Sequence, residues 1–284
     1  MGALFSVSLW LENIGTRWQQ VNQVAEQLAQ NADVATALSQ YPDAMGAILE
    51  FGSDAVEALA QRFKVVSEGN SPRFWMESLA NSPLEEGLGI LEVLSRTYAE
   101  IPENILAADM VAYGRIVAAT DDVSRITQAI GVPENVVARA RQNLFLTEHE
   151  IPIGPNLTQR AFFAPDSDIA DLWMKAMSNN LQALESERFK RILAHEYVES
   201  RLMEMGLPFR SSHPDVYNNR TGLNLPTPEH FGAHDLAPYA YIERPPFTVW
   251  ETRLNRSSGD LTLADDLSNL DHIVSETYRI FMGE

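Results

Sequence analysis

The chain has 284 residues, no cysteine and a net charge of −18, with 45% hydrophobic and 21% charged side chains. That balance is ordinary for a folded protein and too apolar for a disordered one. The missing cysteine excludes disulfides, thiolate metal sites and cysteine nucleophiles. Residues 1–142 and 143–284 each carry −9, an even acidity that repels phosphate backbones and makes nucleic acid a poor partner.

Residues 3–11 are apolar but too short to cross a bilayer, and they lack the basic leader of a signal peptide. They read as a helix docked on the protein body, with no membrane span and a cytoplasmic or transiently exported protein expected. Residues 16–39 place Trp18, Val21, Val24, Ala25, Leu28 and Ala32 on one stripe at helical period, and Tyr41-Pro42-Asp43 ends it. Ser53 caps a helix over 54–67, with Gly69 just beyond. Ser71-Pro72 and Ser82-Pro83 each pair a cap with a proline in the first turn, where its missing N–H costs nothing. Ile101-Pro102 opens a helix to about 120, Asp121 one to Gly131, and Pro133 another to about 143. Together they predict a helical bundle or irregular solenoid over residues 1–142.

The texture changes near residue 145. Residues 148–156 are a proline- and glycine-punctuated connection, which places a domain boundary at about 143–150 and a second domain over 143–284. Helices are expected over 168–179, capped by Asp166 or Ser167, and over 186–205, stopped by Gly206 and Pro208. Residues 207–247 form a proline-rich loop holding His213, His230 and His234, three of the six histidines. A loop of this length is usually functional or disordered. Residues 248–253 read as a short strand, and a last helix covers 262–282. The fold class is mainly α: an N-terminal helical bundle, then an α or α+β domain with a long histidine-rich loop.

The helix over 186–205 carries the main anomaly. At about 100° per residue, Phe189, Ile192, Leu193 and Met203 share a third of its circumference. Glu196 falls in the middle of this apolar stripe, Glu199 and Ser200 on its flanks, and His195 beside Glu199 one turn back. Two carboxylates facing a core are costly unless a metal ion, a buried arginine or a raised pKa neutralises them. Three readings follow. His195 and Glu199, at i and i+4, hold one divalent ion, zinc or manganese, with Glu196 as general base. That is the logic of the zinc-peptidase His-Glu-x-x-His helix with glutamate replacing the second histidine. Alternatively, a glutamate and a histidine form a metal-free acid–base pair. In the third reading the carboxylates only anchor loop amides or an arginine such as Arg210.

The loop offers partners. His234 and Asp235, adjacent between Gly232 and Pro238, supply further metal ligands or an oriented base, and His213 a catalytic base. His149 reads as exposed in a charged linker and His272 as a helix-surface residue. The steps from His195 to Gly206 span roughly 16 Å of helix, whereas extended chain covers about 3.3 Å per residue. The loop therefore reaches back to His195 within a few residues of His213. At least one of Arg210, His213, Arg220, His230 and His234 is expected within bonding distance of Glu196 or Glu199, with Arg210 as the salt-bridge partner and His234 as ligand or base.

No glycine-rich phosphate loop, dinucleotide fingerprint or nucleophile-elbow serine is present. The phrases Asn143-Leu144-Phe145-Leu146-Thr147-Glu148-His149, Leu193-Ala194-His195-Glu196-Tyr197-Val198-Glu199 and Gly232-Ala233-His234-Asp235-Leu236-Ala237-Pro238 resemble the C-terminal effector modules of bacterial polymorphic toxins. The likeness covers about residues 143–240 and leaves the N-terminal half unaccounted for. It implies hydrolytic chemistry in a delivered effector, with a delivery machinery or an immunity protein as partner. Combined with the helix, it favours a metal-dependent hydrolase of a peptide or other small substrate. A non-enzymatic helical scaffold and a nuclease-type toxin are the alternatives.

Overall fold

The computed structural model describes residues 107–218 and 224–283, with a few positions between 86 and 99. The helices expected before residue 86, and Arg220, lie outside the described residues. Those described are mainly α-helical, with one two-stranded sheet among them. They fall into two compact units, Met1–Ala119 with Ala164–Asp171, and Thr120–Phe163 with Leu172–Glu284.

In the first unit, α1 (Ala107–Ala118) buries Met110 and Ile116. A side chain at Gly114 would collide with Ile90, so only glycine lets the two segments touch. Asp166 Oδ1 accepts the Ile169 N–H at 3.0 Å, the expected cap on the helix that begins at Ser167.

The second unit opens with α2 (Asp122–Ile130) and α3 (Glu134–Arg141). Gly131 ends α2 at φ 67°, a left-handed stop. Asp122 is buried, and accepts from Arg141 Nε at 2.7 Å and Trp173 Nε1 at 3.1 Å, so its charge is paired. The chain leaves α3 through a π-turn (Gln142–Leu146) that buries Asn143, Leu144 and Phe145. The punctuated connection that follows is a hairpin, β1 (His149–Gly154) against β2 (Leu157–Ala161), antiparallel from His149↔Ala161 to Gly154↔Leu157. Asn156 turns it at φ 56°, a conformation asparagine tolerates. Helix α4 (Ser167–Met177) follows, with Trp173 packed edge-on to Phe145 and Phe189.

Helix α5 (Ala183–Glu204) is the axis of this unit. Gln182 and Glu185 form a capping box at its start, and Gly206 stops it at φ 100°. Every residue from Ile192 to Ser200 is buried. This corrects the single apolar stripe read from the sequence. The helix is covered all round, by α3, the π-turn, α6 (Ala233–Leu236) and α8 (Leu270–Met282), so any carboxylate in this stretch is desolvated.

The segment expected as a strand over 248–253 is helical instead: α7 spans Thr248–Thr252. Trp250 is buried there with Nε1 donating to Leu236 O at 2.9 Å, and this anchor overrides the strand preference of Thr248 and Val249. The last helix begins later than expected. Asn269 accepts the Ala264 N–H at 3.0 Å and donates to Thr262 O at 2.8 Å, holding residues 262–269 as a closed loop.

Candidate functional site

Two backbone bonds bring the long loop back to α5. Ala233 N–H donates to Pro208 O at 2.8 Å and His234 N–H to Phe209 O at 3.0 Å. Gly232 permits this approach: a Cβ there would lie 2.5 Å from Arg210 Cα and Phe209 O. Asp235 accepts the Gly232 N–H at 2.9 Å, which fixes the first turn of α6.

His234 thereby meets His195 and Glu199. Glu199 Oε2 lies 3.1 Å from His195 Nε2 and 2.8 Å from His234 Nδ1, and the two nitrogens are 3.1 Å apart. His195 Nδ1 lies 2.8 Å from Pro238 O. A carbonyl only accepts, so Nδ1 carries the proton and Nε2 faces the cluster. Phe209 packs edge-on to the His234 ring, 5.3 Å between centroids. Three side chains therefore bring one nitrogen or oxygen each within 3.1 Å of one another, and the loop histidine His234 reaches Glu199.

Glu196 and Glu199 share a partner that the sequence did not reveal. Asn143 Nδ2 donates to Glu196 Oε2 at 2.8 Å and Glu199 Oε1 at 3.0 Å. The Asn143 main-chain carbonyl accepts from His149 Nε2 at 2.9 Å. His149 is itself buried and stacked on Phe163 at 4.2 Å, so the expectation that it is exposed is corrected. Nothing in a lone asparagine or in a histidine among charged neighbours signals either role. Asn143 also lines a cleft of about 590 Å³ with Arg139, Tyr197 and Ser200.

Crowding sets the protonation. Burial alone would lower His195, but the bond and charge of Glu199, with the Glu196 charge and Pro238 carbonyl, raise it to about 9. Burial raises Glu196 to about 8, reinforced by the Glu199 charge and opposed by His195 and Asn143. Burial would raise Glu199 too, yet the hydrogen bonds from His195 and His234 hold it well below the usual carboxylate range. Burial and then the Arg210 charge push His234 down, although about a third of its side chain, 32%, is exposed. Near neutral pH the metal-free cluster holds a charged His195–Glu199 pair beside an uncharged Glu196 acid and a neutral His234.

The remaining expected residues sit apart from this set. Arg210 does not reach Glu196 or Glu199. Its guanidinium lies 3.7 Å from Asp235 Oδ1 and over the Phe209 ring, because the backbone pairing that delivers His234 also aligns Arg210 with Asp235. Asp235 is committed to Gly232 and Arg210 and stands outside the three-donor set. His213 stacks on His230 with centroids 3.6 Å apart, and Asp215 lies 3.5 Å from His213 Nδ1. With Asp215, whose Oδ2 also lies 3.9 Å from His230 Nε2, these histidines form a second, more exposed group of potential ligands, separate from His195, Glu199 and His234. His272 is exposed on α8, as expected.

No family model matches the chain, and comparison with curated proteins and with solved structures gives no match. The functional reading therefore rests on the cluster itself.

Proposed function

We propose that this protein is a metal-dependent hydrolase in which His195, Glu199 and His234 hold a divalent zinc or manganese ion and Glu196 is the general base. The observation that carries this is the convergence of His195 Nε2, Glu199 Oε2 and His234 Nδ1 within 3.1 Å of one another in a largely buried pocket. Donors 2.0–2.1 Å from a zinc ion, at angles between right and tetrahedral, lie roughly 2.9–3.4 Å apart. The Pro238 carbonyl on His195 Nδ1 is the outer hydrogen bond that orients a metal-ligating imidazole.

Two imidazoles and a carboxylate also serve non-haem iron. Glu196 turns the reading toward hydrolysis, because it places a second carboxyl directly after a ligand, where a general base is needed. Held by His195, Glu199 and His234, such an ion would supply Lewis-acid polarisation of the scissile group and of the attacking water. As the water oxygen bonds to the acyl carbon of an amide or ester, Glu196 takes the water proton and passes it to the leaving nitrogen or oxygen. The charge of −18 favours a peptide or other small substrate over a nucleic acid. The resemblance of residues 143–240 to toxin effector modules supports a delivered role, with a delivery machinery or immunity protein as partner.

The expected result is slow hydrolysis of a panel of peptides and esters by the full chain, abolished by a chelator and restored by zinc or manganese. Turnover that survives exhaustive chelation overturns the metal assignment. One observation favours a second reading, a structural network: Asn143, His195 and His234 already satisfy both carboxylates. On that reading no metal is taken up and no substrate is cleaved.

A further inference from the structure

We infer that Asn143 is a positioning residue that selects which oxygen of Glu199 faces the metal ion and holds Glu196 in register beside it, an inference that rests on the metal reading above. Glu199 has two oxygens with different surroundings. Oε2 meets both histidine nitrogens, whereas Oε1 is tied to Asn143 Nδ2. A carboxylate free to rotate would exchange the two, or offer both to an ion. With Oε1 held, Glu199 presents one oxygen in one orientation. The second N–H of the same amide goes to Glu196 Oε2, so a single planar group sets the separation of ligand and base.

The backbone that carries the amide is fixed from behind. Asn143 is 3% exposed, and its main-chain carbonyl accepts from His149, which Phe163 clamps face to face. It lies in a π-turn that breaks the regular run of α3 and packs directly on α5. Such π segments are rare and recur at functional sites. Asparagine fits because only a neutral carboxamide offers two N–H groups from one small atom to two carboxylates. Leucine of the same size offers none, and aspartate would add a third negative charge.

The test is a cobalt and zinc titration of the metal-free full chain, its Asn143→Leu variant and its Asn143→Ala variant. Circular dichroism and melting establish which variants are folded, and the alanine variant serves if leucine does not fold. The wild type is expected to take up one Co²⁺ per chain. The folded variants are expected to bind about 10–100-fold more weakly, the usual effect of losing an outer hydrogen bond to a ligand, with an altered visible cobalt band. A merely structural asparagine would lower the melting temperature and leave the affinity and band of the folded protein unchanged. That result overturns the positioning role alone. A wild type that takes up no cobalt or zinc overturns the metal reading, and this inference with it.

Discussion

Replacing Glu199 by alanine is expected to abolish tight metal binding and to lower the stability of the metal-free protein by about 3 kcal/mol. Glu199 is 1% exposed and accepts from His195, His234 and Asn143, so alanine strands three polar groups at once. Breaking a buried ion pair typically costs about 3–5 kcal/mol, and the lower end applies because His195 can shed its proton. For a unit of this size the loss is a melting point roughly 6–12 °C lower, read by calorimetry in chelator. The pH dependence should change as well. With His195 raised to about 9, the wild type carries a stabilisation that is fully present below the unfolded histidine value and lost as pH rises through 9. Without Glu199 that alkaline loss should largely vanish. An alanine variant as stable as wild type, with the same alkaline slope, would show that the cluster is not coupled as described.

Replacing Glu196 by glutamine should have the opposite profile: catalysis falls about 10²–10⁴-fold, the contribution of a general base, while the fold and the metal remain. In the metal-free protein Glu196 is an uncharged acid near neutral pH, since burial and Glu199 raise it to about 8, and a cation held beside it would favour the carboxylate form that serves as base. Glutamine is its near-isostere, and its carbonyl still accepts from Asn143. A raised carboxyl pKa means that the folded state binds the extra proton between the unfolded value and 8, so stability falls across that window as pH rises. The glutamine variant lacks this loss and should melt above the wild type at pH 8–9 in the metal-free form. Hydrolysis unchanged in the variant would remove Glu196 from the mechanism, whereas a variant that fails to fold would make Glu196 a structural anchor.

The histidine–glutamate helix and the return of His234 were legible because they follow from local rules. Position i and i+4 share a helix face, Gly206 and Pro208 force a turn, and the loop is long enough to come back. What surrounds them was not legible. Residues 149–161 hide a hairpin because Pro152, Gly154 and Pro155 break the alternation that marks a strand. Asn143 is placed by a π-turn, which has no periodic signature, and by contact with Glu196, more than fifty residues away in the chain. Arg210 was assigned to the glutamates because their charge needed a partner, but the backbone pairing of Phe209 with His234 delivers it to Asp235. Thr248 and Val249 favour a strand, and the buried Trp250 makes the segment a helix. In each case a tertiary contact outweighed the local preference.

Metal analysis of the full chain, purified without chelators or a histidine tag, tests the central claim most directly, with the His234→Ala variant alongside. The account predicts one zinc or manganese ion per wild-type chain and a loss of most of it in the variant, because His234 supplies one of the three converging donors. A wild type that carries no ion and takes up none at micromolar zinc, manganese or nickel would contradict it, leaving His195, Glu199 and Asn143 as a structural network that pins the loop to α5.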